Sequence, residues 1–302
     1  MAITIQHTVH VNLNCNDHEQ HKALLTKLGF SPASRLQPDP QNGQNMGIEG
    51  KVQWDGYAMV SGLDWQSAMI DLLTFRLPPI IGQSYEALNH IGNQALIIAV
   101  DDVAATHHAL RAETLSFLGP LQTEKSAGFH FRDRDGIRYD IIDRRIRSNK
   151  QPGLAGLAVN CSSIHATQAW YQGHLGFVSL SDVPEQAPLL ANAYDCNHDV
   201  DCLSLTLSLP HRDDFIIRLQ QPEGIHGQSY SVPNHVGLYR TAFAVEDIHQ
   251  CYERLQQQGV DCPHPPVYQD MGPGIPVDGV WALYFFDPDG NCIELIETPT
   301  ME

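Results

Sequence analysis

No run of apolar residues in the 302-residue chain approaches the length needed to span a bilayer. The opening Met1-Ala2-Ile3-Thr4-Ile5-Gln6-His7 has no basic stretch leading into an apolar one, so no secretion signal is expected. Basic residues are scarce: 18 Lys and Arg stand against 35 Asp and Glu, a formal net charge of −17 at pH 7. That balance disfavours nucleic acid and anionic membranes as partners and favours solubility. The seven cysteines never fall as Cys-x-x-Cys, so a disulfide framework is not expected. Cys15 and Cys161 sit in strand-like runs and are expected to be reduced and buried, which suits a cytoplasmic location. Phosphate-loop, nucleophile-elbow and Rossmann glycine patterns are also missing.

What is present is a stretch that occurs twice. Asn89-His90-Ile91-Gly92, an apolar run and Asp101-Asp102-Val103 return 145 residues later as Asn234-His235-Val236-Gly237, an apolar run and Glu246-Asp247-Ile248. Leu-Gly-Phe occurs at 28–30 and 175–177, and Asp-x-Asp-Gly at 133–136 and 287–290. Three landmarks in one order at similar spacing mark an internal duplication. The division expected is residues 1–145 and 154–302, joined by a polar linker over 146–153 that ends in Pro152-Gly153.

Within each half the periodicity changes in a fixed order. Val9, Val11, Leu13 and Cys15 alternate as a half-buried strand. Asn16 or Asp17 can cap a helix carrying Leu24, Leu25 and Leu28, which Gly29 ends. Residues 31–50, rich in Pro, Gly, Asn and Gln, read as a mobile loop, and strands follow over about 51–60 and 68–76. A second unit runs from Leu96 to Ile142, a third from Leu157 to about 221 and a fourth from Tyr239 to about 297. The fold class expected is therefore α+β, built of four strand-helix-strand-strand-strand units.

The succession His10-Val11-x-Leu13-x-Cys15-x-Asp17, the Leu28-Gly29-Phe30 landmark and the closing Asp287-Pro288-Asp289-Gly290-Asn291-Cys292-Ile293-Glu294 resemble the vicinal oxygen chelate superfamily. That group includes glyoxalase I, bleomycin-resistance proteins, methylmalonyl-CoA epimerase and extradiol dioxygenases. The resemblance runs from about residue 5 to 298 and implies that βαβββ units pair into eight-stranded cups. It also implies a metal held by the residue opening the first strand and a carboxylate on the last strand of each unit. Carried over, these positions are His10 and Asp71, Ala95 and Asp140, Gly156 and Arg218, and Arg240 and Glu294. The pairing of units, sequential or shuffled, is left open. Neither half holds the full ligand set, and the C-terminal half lacks both opening histidines, which disfavours an extradiol dioxygenase.

Two sites follow if the units pair in sequence. An N-terminal cup would gather His10, Asp71 and Asp140 around one divalent ion (zinc, iron, manganese or nickel) or none, where an ion would polarise a carbonyl or stabilise an enediolate. The competing reading makes His10 a hydrogen-bonded strand residue and Asp140 part of a salt-bridged edge. A C-terminal cup would set Arg218 and Arg240 beside Glu294, with Tyr239 nearby. Arginine forks suit a carboxylate or phosphate, so this half would bind an acidic or phenolic molecule without metal, unless an Arg240–Glu294 ion pair fills the place of the ion.

His90 and His235 are candidate general bases at the cup rims, set against a structural role in which each bonds a neighbouring carbonyl. His18 and His21 share a helix face that reads as solvated, as do His107 and His108. Trp54, Tyr57, Trp65, Tyr239, Trp281 and Phe285 are pocket-wall candidates or core residues, and 272–279 reads as a loop over a cup mouth. The resemblance implies an enzyme of lyase or isomerase type acting on a small oxygenated or aromatic metabolite, metal-assisted at the N-terminal cup. The alternative is a metal-free protein that sequesters its ligand. The expected partner is a small molecule, with a homodimer left open.

Overall fold

The computed structural model describes residues 1–62, 67–122, 128–146, 151–186, 201–271, 277 and 279–298. Unit one comprises β1 (His7–Asn14), α1 (His18–Lys27), β2 (Ser31–Leu36), β3 (Gln41–Asn42), β4 (Lys51–Val60) and β5 (Met69–Leu77). Unit two comprises β6 (Gly92–Val100), α2 (Val103–Leu110), β7 (Ser116–Gln122), β8 (Gly128–Arg132) and β9 (Arg138–Asp143). Unit three comprises β10 (Gly153–Asn160), α3 (Ile164–Leu175), β11 (Val178–Ser179), β12 (Glu185–Gln186), β13 (Cys202–Leu209) and β14 (Arg212–Pro222). Unit four comprises β15 (Arg240–Ala244), α4 (Ile248–Gln257), β16 (Val267–Asp270), β17 (Gly279–Phe286) and β18 (Cys292–Glu297).

Each helix starts where the sequence places a short acceptor side chain after a strand. Asp17, Asp102, Ser163 and Asp247 accept backbone N–H bonds from the first turns of α1, α2, α3 and α4. Gly176 closes α3 in the left-handed region at φ 73°. Segment 31–50 differs from expectation, because Ser31–Leu36 is a strand. It lies at a sheet edge and pairs only with β4, which explains how a polar run containing Pro32 is accommodated.

The strands form two mixed sheets. One runs β16-β17-β18-β15-β1-β5-β4-β2 and the other β11-β13-β14-β10-β6-β9-β8-β7. Unit one therefore pairs with unit four through the antiparallel β1–β15 seam, and unit two with unit three through β6–β10. The division into an N-terminal cup over 1–145 and a C-terminal cup over 154–302 is corrected accordingly: each cup draws one unit from each half. Connections 78–91 and 223–239 cross between the sheets and bind each other, Ile81 N–H to Asn234 O at 2.9 Å and Ile91 N–H to His226 O at 2.8 Å. Four locally similar units offer no periodicity signal for this choice; the crossing segments and long-range seams make it.

The repeat also fixes register. The four strand-opening residues lie beside equivalent positions in parallel ladders: His10 by Met69, Ala95 by Arg138, Gly156 by Ile216 and Arg240 by Cys292. Two residues on stand Asp71, Asp140, Arg218 and Glu294, on the same strand face by alternation. One continuous apolar core lies under the helices and draws on all four units, among them Leu13, Phe131, Ile164 and Phe285. Helices also dock on the other sheet. Asn16 N–H bonds Asp135 of the β8–β9 turn at 2.8 Å, and Ser162 N–H bonds Asp289 at 3.1 Å.

That docking overturns the solvated reading of α1. His18 and His21 are both buried. His21 Nε2 lies 3.0 Å from Asp133 Oδ2, which also accepts the Tyr139 hydroxyl at 3.0 Å. Burial works against a charged His21, but the Asp133 hydrogen bond, and then Cys15, outweigh it and raise the imidazole pKa to about 11. His107 is half-buried against Phe117 and Phe129, whereas His108 is exposed.

Candidate binding site in the cup of units one and four

The face of the first sheet away from the helices brings four of the eight carried-over residues together. Arg240 donates from Nε to Glu294 Oε2 and from Nη2 to Asp71 Oδ2, both at 2.7 Å. Asn12 Nδ2 bonds the Asp71 main-chain oxygen at 3.1 Å and Oδ2 at 3.3 Å, and Tyr284 OH donates to Glu294 Oε1 at 2.8 Å. His10 Nε2 lies 3.2 Å from Glu294 and 3.7 Å from Asp71 but is aligned for a hydrogen bond with neither. With 7% of its surface exposed, His10 thus presents a buried nitrogen that lies beside Glu294 but makes no aligned hydrogen bond among the described residues.

Burial opposes ionisation of Glu294, yet Arg240 and His10 outweigh it and bring its pKa down to about 2. Burial likewise opposes the Arg240 charge, and Glu294 and Asp71 more than restore it. The floor is thus two carboxylates clamped on one guanidinium, with an imidazole beside them. Above it opens a cavity of about 230 Å³ walled by Val9, Leu36, Trp54, Met69, Val280 and Ile296. Val277 also lines it; residues 272–276 and 278 of the expected mouth loop lie outside the described residues, as does Trp65.

The expected ligand groupings are not the ones the fold assembles. His10 and Asp71 do converge, but with Arg240 and Glu294, while Asp140 belongs to the other sheet beside Arg218. The grouping of His10, Asp71 and Asp140 and that of Arg218, Arg240 and Glu294 are both corrected, because the cups mix the halves. The Arg240–Glu294 ion pair is present, and Asp71 joins it. Tyr239 is buried in the apolar core beside the floor, Phe285 is core, and Tyr57 lies against Lys22 and Arg35 away from the cavity.

His90 and His235 do not line the cavity. Each ring nitrogen Nδ1 contacts the carbonyl of the next residue, at 2.7 Å for His90 and 2.9 Å for His235. They flank a stack of Tyr85 on Tyr230 with centroids 4.0 Å apart. A Cβ at Gly227 would sit 2.2 Å from His90 and one at Gly82 2.1 Å from His235, so the pair packs the junction between the crossing segments.

Tyr284, Asn12 and Gln269, the last 3.2 Å from the Tyr284 hydroxyl, join the floor without being candidates from the sequence. A sequence signal for Tyr284 exists. The hairpin around Asp287–Gly290 pairs it with Glu294, as the matching hairpin pairs His130 with Asp140.

Paired βαβββ units, with their carried-over residues meeting on the inner face of a curved mixed sheet, define the class of protein. A sequence profile for the Glyoxalase/Bleomycin resistance protein/Dioxygenase superfamily matches residues 5–141 and again 153–295, and the chain belongs to that superfamily. Glyoxalase I from Zea mays has a similar structure at 16% identity, with TM-score 0.65 over 96% of this chain and 92% of that one. A putative dioxygenase from Bacillus subtilis subsp. subtilis str. 168 is similar at 10% identity, with TM-score 0.57 over 99% and 87% of the two chains. At such identities the likeness is one of fold. No curated protein sequence matches. No helix among the described residues is long and apolar enough to cross a membrane.

Members of this superfamily often bind a divalent metal. Here His10, Asp71 and Glu294 would be its ligands, and the residues do not fit. Arg240, a cation with no lone pair to donate, occupies the fourth ligand position and bonds both carboxylates at 2.7 Å, so it would repel an ion there. Among the described residues no group of three or more His, Cys, Asp or Glu is arranged to hold a metal.

Proposed function

We propose that the cup of units one and four binds a small, largely apolar molecule carrying a hydroxyl or carbonyl oxygen, and does so without a metal. The observation that carries this is Arg240 clamped between Asp71 and Glu294 beneath an apolar-walled cavity. The apolar walls supply burial, and His10 Nε2, a buried polar atom with no aligned hydrogen bond among the described residues, is the group that would orient the ligand's oxygen. The same nitrogen favours a second reading, in which the cup is catalytic and His10 exchanges a proton with the bound molecule, in isomerase- or lyase-type chemistry. Binding is common to both readings and is tested first.

Titrating EDTA-treated protein with p-cresol, followed by the fluorescence of Trp54 at the cavity wall, is expected to give saturable one-site binding. His10→Ala is expected to weaken it at least about tenfold, as removing a buried hydrogen-bond partner does. Binding that appears only after a divalent metal is added would overturn the proposal. Deuterium uptake from solvent into an added small ketone, lost in His10→Ala, would select the catalytic reading.

Replacing the Arg240 cation should create a metal site. Arg240→His places two imidazoles and two carboxylates at the floor, a donor set suited to zinc or nickel. Elemental analysis after loading is expected to show about one equivalent in this variant and no stoichiometric metal in the parent. A parent that loads one equivalent would show that Arg240 does not exclude the ion.

A further inference from the structure

The cup of units two and three carries the opposite charge pattern. Arg138 reaches Asp140 from Nε to Oδ1 at 2.8 Å and from Nη2 to Oδ2 at 3.0 Å. His130 Nδ1 lies 2.8 Å from the same Oδ1, and Arg218 Nη1 donates to Oδ2 at 3.3 Å. Two guanidinium groups therefore face one carboxylate, so the cluster keeps an uncompensated positive charge before His130 is counted. In the first cup the count is reversed, with two carboxylates around Arg240.

The surplus charge has open donors. Arg138 is 5% exposed, and its Nη1 is buried with no hydrogen-bond partner among the described residues. A buried donor of this kind is costly to leave unmatched, and more so on a charged group. Arg218 and His130 are reachable from solvent, with 25% and 18% of their side chains exposed, whereas Asp140 is fully buried. At the strand-opening positions between them stand Ala95 and Gly156, which bring no side chain longer than a methyl group.

We propose that this second cup is a binding site for a small oxyanion, a carboxylate or a phosphate, with Arg218 and the unmatched Nη1 of Arg138 as its donors. A planar fork presents paired N–H groups at the spacing of two such oxygens, and an anion there neutralises the surplus charge. Asp140 holds the two arginines in place from below, as a positioning residue.

Isothermal titration of the full chain at low ionic strength, with benzoate in one series and inorganic phosphate in another, tests this. One-site saturable binding of at least one anion is expected, and the series that binds identifies the source of the oxyanion. Arg218→Gln is expected to weaken it at least about tenfold. Arg218→Lys, which keeps the charge and loses the fork, is expected to fall between the two. Should Arg218→Gln fail to fold, Arg218→Lys carries the same comparison. Neither anion binding saturably to the parent, or a folded Arg218 variant binding as tightly as the parent, overturns the site.

Discussion

Arg240→Met is expected to destabilise the protein by about 3–5 kcal/mol at neutral pH, the cost of removing one partner from a buried ion cluster. Methionine fills similar volume, so the loss is electrostatic: Asp71 and Glu294 would face each other in a buried floor with no cation between them. The pH dependence separates this from a packing defect. In the parent, the depressed Glu294 carboxyl contributes stability that is fully present above its ordinary pKa of 4.5 and is lost as the pH falls toward about 2. In the variant, protonation relieves the repulsion instead. The difference in unfolding free energy between the two proteins should therefore shrink as the pH is lowered from 7 to 3, measured by urea titration. A deficit below about 1 kcal/mol at pH 7, or one that does not change with pH, would refute the clamp.

The second large effect concerns the joint between the sheets. The folded His21 pKa of about 11 lies above its ordinary 6.5, so the imidazolium–Asp133 pair contributes stability that is complete below about pH 6.5 and declines as the pH rises toward 11. His21→Gln keeps a hydrogen-bonding side chain but gives up the charge, leaving Asp133 buried without its cation. A loss of about 3 kcal/mol at pH 6 is expected, and it diminishes by pH 10 because the unfolded chain's histidine has by then lost its proton while folded His21 still holds one. Other groups titrate over that range in both proteins, so the difference between the two unfolding curves isolates His21. Parallel pH profiles would show that the pair is not charged. Because His21 on α1 and Asp133 on the β8–β9 turn belong to different sheets, the contact also ties the cups together.

Much of the fold was legible because local chemistry repeats. Alternation over Val9–Cys15 marked β1, the strand expected over about 51–60 is β4, Asp17 and Asp102 cap helices that follow strands, and the Asp-x-Asp-Gly turns lead into the strands that carry Asp140 and Glu294. The strand at 31–36 was not legible, since an exposed edge tolerates polar residues and Pro that signal a loop. His18 and His21 looked solvated because their covering surface comes from Thr74 and from Asp133, 112 residues beyond His21.

The sequence by itself determined the four units, because strand alternation and capping act over a few residues and are copied with each repeat, and the family resemblance added the eight positions that face the cups. Which four of those eight meet was decided by tertiary structure alone. The units are alike in periodicity and any of them offers a similar edge, so pairing depends on segments 78–91 and 223–239 crossing and binding each other, and on helices docking across sheets. That choice places Arg240 between Asp71 and Glu294 and sets Arg138 and Arg218 on Asp140, leaving the two cups with opposite charge.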